Sequence, residues 1–361
     1  MAPPTATVPS FASDRPPYLA AFGVFATVLA GYVLTLAPTV TFWDAGEFIA
    51  SARILGIPHP PGTPLFVLLG NVFGQLVPIG AFAYRTNLMT AMFSAGAAAC
   101  MFLVIVQGLR GWAGRNGKTA EGPEDRWYVF GGAVAAALIS AFAFTVWQNS
   151  NETEVYMVAT FSIGAICWLA WLWRKHRGTM RASHLLLLIV YIGAVSIGNH
   201  LLTLLVGPAL VGFLWHVQRT DPLPAERDRR AEWAQWAVVA GMWALLIGAG
   251  LGNTTLMVLG GVAFLAAAGY AASVGSLGFA AMVLAIGAVG VSTYLFLYIR
   301  AGLDPFINEA DPSTLDALLS VIRREQYPPR SPVDNPLYPS GPENPGRNLT
   351  IIGLQIVNYL Q

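Results

Sequence analysis

Charge is scarce in this sequence. Only 11% of its 361 residues are Asp, Glu, Lys or Arg, against roughly 25% in a soluble globular domain. With 55% hydrophobic residues, that scarcity excludes an ordinary water-soluble fold. There is no long run of one charge sign and the net charge is +1, which argues against a nucleic-acid partner. Cysteine is limited to Cys100 and Cys167, both inside apolar runs. They read as small buried hydrophobes rather than a disulfide or a thiolate metal site. No cluster with metal-ligand spacing stands out, so no metal and no cofactor are expected.

What is abundant is apolar sequence of bilayer length. Residues 1–17 are rich in Pro, Thr and Ser and read as a disordered tail. Apolar spans follow at 18–40, 84–109, 127–147, 154–173, 184–198, 200–217, 233–252, 254–272 and 276–299, predicting an all-α polytopic membrane protein with nine transmembrane helices. Basic residues gather in three connections: Arg110, Arg115, Lys118 and Arg126; Arg174, Lys175, Arg177 and Arg181; Arg219, Arg227, Arg229 and Arg230. The positive-inside rule puts all three in the cytoplasm, with the amino terminus. That parity holds only if the short apolar stretch 64–79 does not cross, so it is expected to be a juxtamembrane helix on the outer face. Segment 184–217 is split by Gly198-Asn199-His200 and reads as a broken hairpin lining a cavity. Residues 301–361 are Pro-rich and polar, then apolar from Leu349. They are expected to form an extracytoplasmic segment, truncated at its end, with a short helix from Asp311-Pro312 to about Arg324.

The unusual polar residues fall on the expected outer side. Asp44 and Glu47 lie three apart, on one face of a helix, where one carboxylate can take a proton and the other orient a partner. The same pair also resembles a capping box at a helix start. His59-Pro60-Pro61-Gly62 holds an imidazole on a rigid backbone, suited to a sugar hydroxyl or a phosphate. The bland reading is a turn leading into the next helix. Glu154 and Tyr156 stand in or beside a short outer loop. Asn199 and His200 interrupt apolar helices at membrane depth, as cavity lining or as satisfied structural groups. Arg300, Asn308, Glu309, Asp311, Arg323, Gln326 and Tyr327 follow the last span, while Arg324 and Glu325 read as surface ion-pair residues.

The order Trp43-Asp44-Ala-Gly-Glu47-Phe48, His59-Pro60-Pro61-Gly62-Thr-Pro64-Leu65, Glu154-Val-Tyr156, Gly198-Asn199-His200, Ile299-Arg300, Asn308-Glu309-x-Asp311-Pro312 and Arg323-x-Glu325-Gln326-Tyr327 resembles a membrane family. That family was first catalogued in bacteria as a domain of unknown function and includes an animal transmembrane protein O-mannosyltransferase. More faintly, an acidic pair followed by His-Pro-Pro is similar to the wider protein O-mannosyltransferases of the GT-C glycosyltransferase class. Here the two acids are separated by two residues rather than adjacent.

The resemblance implies a GT-C-like fold over residues 18–300 in a bacterial cytoplasmic membrane. It also implies transfer of a sugar, most simply mannose, from a polyprenyl-phosphate donor to a Ser or Thr hydroxyl of a protein on the outer face, with inversion. Asp44 and Glu47 would be catalytic, with Asp44 as base. Trp43, His59, Glu154, Tyr156, Asn199, His200, Arg300, Asn308, Glu309, Arg323, Gln326 and Tyr327 would bind substrate, with His200, Arg300 or Arg323 near the leaving phosphate. The competing reading is a transporter or lipid-handling scaffold whose path is lined by Glu47, Asn199 and His200.

Overall fold

The computed structural model describes residues 15–115, 123–222, 228–327, 333–339 and 341–360. Residues 1–14 of the amino-terminal tail, Lys118 and Arg227 lie outside these, as do the side chains of Arg115 and Arg126. The architecture is helical, and the described residues contain one isolated parallel bridge between Ile57 and Asn308. Its helices are α1 Tyr18–Thr35, α2 Ala45–Ile54, α3 Pro64–Leu76, α4 Phe82–Arg115, α5 Pro123–Ala141, α6 Phe144–Ser150, α7 Val155–Lys175, α8 Met180–Ser196, α9 Gly207–Thr220, α10 Arg229–Gly250, α11 Thr254–Ser273, α12 Leu277–Val291, α13 Leu295–Ala301, α14 Leu315–Arg323 and α15 Leu349–Leu360.

Among the described residues seven helical segments are long and apolar enough to cross a membrane, or eight if the bent pair formed by α5 and α6 counts as one span. The protein is therefore a polytopic membrane protein. Of the nine expected spans, α8 falls outside this set: with 17 residues it is about 25 Å long, at the short end of what crosses the roughly 30 Å of a hydrocarbon core. The expected break at 198–200 is present. After α8 the chain turns through Gly198 and Asn199 into a 3-10 turn, Leu201–Val206, before α9. The stretch 64–79 forms only the 13-residue α3, with Pro64 in its first turn.

Two large apolar cores hold the bundle. One unites α1, α4 and α5 around Val28, Tyr32, Phe102 and Ala133. The other unites α7 to α14 around Trp173, Ile189, Val238, Trp243 and Leu297. Helices α10 and α11 approach closely enough that a Cβ at Gly260 would lie 2.5 Å from the backbone nitrogen of Leu245, the small-residue contact typical of helices in lipid. Cys100 and Cys167 are free thiols, as their apolar surroundings implied. A third, smaller cluster of Phe48, Phe66, Met89, Val155 and Val158 lies where α2, α3, α4 and α7 meet.

That small cluster is the floor of one end of the bundle. The loop after α1 is tied down by Asn87, whose amide donates to the carbonyls of Ala37 and Thr39. Thr153 in turn donates to Asn87 at 2.5 Å. The amide of Leu65 donates to the carbonyl of Gly198, joining the start of α3 to the break after α8. The segment after α13 returns across this end, because Ile57 and Glu309 exchange backbone bonds with it: Ile57 N–H to Ile307 at 2.8 Å and Glu309 N–H to Ile57 at 3.0 Å. The helix expected from Asp311 starts later. Thr314 caps α14 through the amide of Ala317, since the Asp311 carboxylate already accepts from Asn308.

Candidate active site

Helix α2 brings the two acids of the motif to the same end, but the capping box does not form. Asp44 precedes the helix and its carboxylate makes no cap bond, leaving it exposed. Glu47 instead turns to His59. Its Oε1 accepts from the His59 backbone N–H at 2.6 Å, and its Oε2 lies 2.7 Å from Nδ1 of the ring. Leu55 adopts the left-handed conformation (φ 55°) that ends α2. The cis peptide Pro60-Pro61 follows, and His59 packs its ring 5.4 Å from that of Phe48. The proline-braced imidazole and the acidic helix therefore meet.

The electrostatics follow from these contacts. Bonding to Glu47 raises the pKa of His59 above its usual value, against the opposing effect of burial. Burial favours a neutral Glu47, but the ring and backbone bonds from His59 outweigh it and hold that carboxyl below the ordinary range. Glu309 arrives through the bridge at Ile57 and comes into the electrostatic reach of Glu47. Burial, then the charge of Glu47, raises its pKa. Glu154, at the start of α7, is 7% exposed and is pushed up to about 7 by burial, with Asp44 and Glu152 adding to the effect. Asp44, Glu47 and Glu309 thus act on one histidine, with Glu154 close enough to feel Asp44, and the ionised forms of Glu309 and Glu154 are disfavoured.

Asp44, Glu47 and His59 each present a ligand-type atom within 4.8 Å of the others, a spacing that a divalent cation could bridge. Both oxygens of Glu47 already receive N–H groups of His59, however, so this set fits a hydrogen-bonded pair better than a coordination shell.

The remaining expected residues divide by role. Tyr327 donates to the carbonyl of Pro60 at 3.2 Å, and its pKa is raised by burial and by Glu309, Glu47 and Asp44. His200 accepts the amide of Leu202 at Nδ1 and packs edge-on against Tyr156 at 5.2 Å. Arg300 donates from Nε to the carbonyl of Leu55 and from one terminal nitrogen to that of Ile54, so its guanidinium clamps the end of α2. Asn199 is fully buried and donates from Nδ2 to the carbonyl of Val155, which braces α7, while its Oδ1 has no partner among the described residues. Asn308 donates to Asp311, Arg323 pairs with Glu325 at 3.5 Å, and Gln326 is exposed. Trp43 is 88% exposed with φ 65°, a left-handed conformation held immediately before Asp44. Arg324, expected on the surface with Glu325, is half-buried, donates to the carbonyl of Gly250 and acts electrostatically on both His200 and Tyr327. No sequence signal separated it from Arg323, because the distinction arises from the left-handed turn (φ 56°) at the end of α14.

Residues 44–223 match the sequence profile described as the Protein O-mannosyl-transferase TMEM260 N-terminal domain. This region is homologous to that domain. Among curated proteins, the mouse Protein O-mannosyl-transferase TMEM260 is 34% identical over 175 residues, 48% of this chain and 22% of the mouse protein. The Dictyostelium discoideum Protein O-mannosyl-transferase tmem260 is 26% identical over 145 residues, 38% of this chain and 15% of its own length. The match therefore spans under a quarter of either relative. No solved structure matches. The matched region contains Asp44, Glu47, His59, Glu154, Asn199 and His200, whereas Glu309, Arg324 and Tyr327 lie beyond it.

Proposed function

We propose that this protein is a membrane glycosyltransferase of the GT-C type that moves mannose from a polyprenyl-phosphate donor to a Ser or Thr hydroxyl of a protein. The supporting observation is the convergence of Asp44, the Glu47–His59 pair, Glu309 and Glu154 at one end of the bundle. Most of that cluster lies within a region homologous to a family named for protein O-mannosyl transfer.

Asp44 is the base in this reading, being exposed and free of a capping bond, whereas Glu47 is bonded to His59. The acceptor oxygen attacks the anomeric carbon as the bond from that carbon to the phosphate oxygen breaks. The phosphate leaves with the electron pair, the hydroxyl proton passes to Asp44, and the anomeric configuration inverts. Glu47 holds His59 in place for a sugar hydroxyl, and neither a metal nor a cofactor is required. Arg174, Lys175, Arg177 and Arg181 lie at the opposite end of the helices from the cluster, which supports a cytoplasmic placement of that end. The amino terminus is then inside and the cluster on the extracytoplasmic side, in a bacterial cytoplasmic membrane on the sequence resemblance.

Incubating the purified chain with labelled polyprenyl-phosphate mannose and a Ser/Thr peptide tests the proposal. Labelled peptide in the wild type and its absence in Asp44→Asn is the expected result. Donor bound by the wild type without transfer or hydrolysis would instead favour the lipid-handling scaffold.

A further inference from the structure

The carboxylate cluster raises a problem for any anionic ligand, because a phosphate brought beside Asp44, Glu47, Glu309 and Glu154 is repelled unless a cation faces it. The expected cations are engaged elsewhere. Arg300 is bonded to two carbonyls of α2, and Arg323 pairs with Glu325. Arg85 is bonded to the carbonyls of Gly74, Ile79 and Gly80, and Arg53 lies over the ring of Phe82.

Arg324 is placed differently. Helix α14 is fixed by its Thr314 cap and by Leu318 and Val321 in the core. Its last turn rests on the 250–252 turn, where Gly252 (φ 59°) is in such close contact that a Cβ there would meet the Cα of Arg323 at 2.9 Å. Among the described residues the Arg324 side chain makes one hydrogen bond, from a terminal nitrogen to the carbonyl of Gly250 at 3.2 Å, so most of its donors are available. Gly250 itself lies against Leu201, where a Cβ would sit 2.5 Å from Leu201 Cδ2, so Arg324 is held beside the residue that follows His200, and the backbone N–H of Tyr327 donates to the Arg324 carbonyl at 3.0 Å. His200 accepts the Leu202 amide at Nδ1, which leaves the proton of its neutral ring on Nε2 as a second donor. Tyr327, whose hydroxyl is held by Pro60, feels Arg324 as well as Glu309, Glu47 and Asp44. Tyr327 therefore joins the two groups, its hydroxyl bonded to Pro60 next to His59 and its backbone N–H bonded to Arg324.

We propose that Arg324 and His200 form an anion subsite that takes the phosphate of a glycosyl phosphate donor, across Tyr327 from Asp44. The identity of that donor rests on the reading given under Proposed function, whereas the recognition of phosphate does not. A guanidinium suits a phosphate geometrically.

The test is equilibrium binding to the full chain in detergent, comparing polyprenyl phosphate with the uncharged polyprenol and using soluble mannose 1-phosphate as competitor. The wild type is expected to prefer the phosphate-bearing lipid and to be competed by mannose 1-phosphate. Arg324→Gln should reduce that preference by about tenfold or more, Arg324→Lys should retain part of it, and Arg219→Gln, in the last turn of α9 at the opposite end of the bundle, should leave it intact. Equal preference in wild type, Arg324→Gln and Arg324→Lys, or an equal loss in Arg219→Gln, would overturn the subsite. An Arg324-dependent phosphate preference in a chain that transfers no sugar would uphold the subsite while overturning the transferase reading. Transfer by Arg324→Gln with an unchanged donor KM would do the reverse.

Discussion

Both ends of the helix bundle bury charge, and they do so in opposite ways. At the end away from the candidate site, Arg177 and Glu232 form a two-pronged pair at 2.9 and 2.6 Å with side chains 6% and 12% exposed. The third nitrogen of Arg177 donates to the carbonyls of Val217 and Asp221, and Arg174 grips Asp221 at 2.6 and 3.2 Å. Both of these guanidinium groups meet an opposite charge, and together they tie the turn after α7 to the end of α9 and the first turn of α10. At the site end the carboxyls outnumber the cations that face them, Glu154 and Glu309 resist ionisation, and Trp43, Leu55 and Thr63 have left-handed backbones. Matched charge fixes a structure, whereas unmatched charge held in place by the rest of the fold is available to act on something else.

The contrast can be broken most forcefully at Asp44. Replacing it with Asn should lower the rate of transfer by about 10²- to 10⁴-fold, the usual contribution of a positioned base, without lowering the melting temperature. A fall in stability with unchanged transfer would return this residue to a capping role. The opposite pattern is expected for Arg177→Met, which strands Glu232 and should cost about 3–5 kcal/mol of stability while leaving transfer per folded molecule intact. The double variant with Glu232→Met should recover most of that loss in thermal unfolding.

Glu154→Gln sharpens the comparison with pH. The native pKa of about 7 lies above the ordinary 4.5, so the native state binds more protons than the unfolded one between these values. Stability then falls as pH rises through that window and is constant above it. The Gln variant escapes the penalty and should melt higher than the wild type at pH 8, by the equivalent of roughly 3 kcal/mol at most. The gain should vanish near the ordinary carboxyl pKa. The smallest effect is expected from chelation: with both Glu47 oxygens engaged by His59, EDTA should leave transfer unchanged. A loss restored by added Mn²⁺ would make Asp44, Glu47 and His59 a metal site.

Much of the architecture was legible from apolar run length, from basic residues at alternate connections, and from Gly198-Asn199-His200 interrupting a hydrophobic stretch. Proline at the start of α3 and the apolar character of α15 were equally plain. The departures arise where a tertiary partner displaced a local preference. Asp44 and Glu47 have the spacing of a cap, but His59 offers Glu47 two donors and wins the carboxylate. Asp311 is a good cap by type, but Asn308 takes its side chain and Thr314 caps α14 instead. Nothing in the order of residues distinguishes Arg323 from Arg324, because only the reversal of backbone hand between them sends one guanidinium to Glu325 and the other toward His200. Asn199 was legible as unusual, but its burial against Val155 depends on a helix far away in the chain.

The stitching of Ile57 to Asn308 ties the profile-matched region to the segment that carries Glu309, Arg324 and Tyr327. A fragment stopping at residue 223 would keep the whole matched region and would lack those three residues of the proposed centre. Separately expressed halves should therefore regain ligand recognition only when mixed, with the short backbone bridge as the seam along which they rejoin.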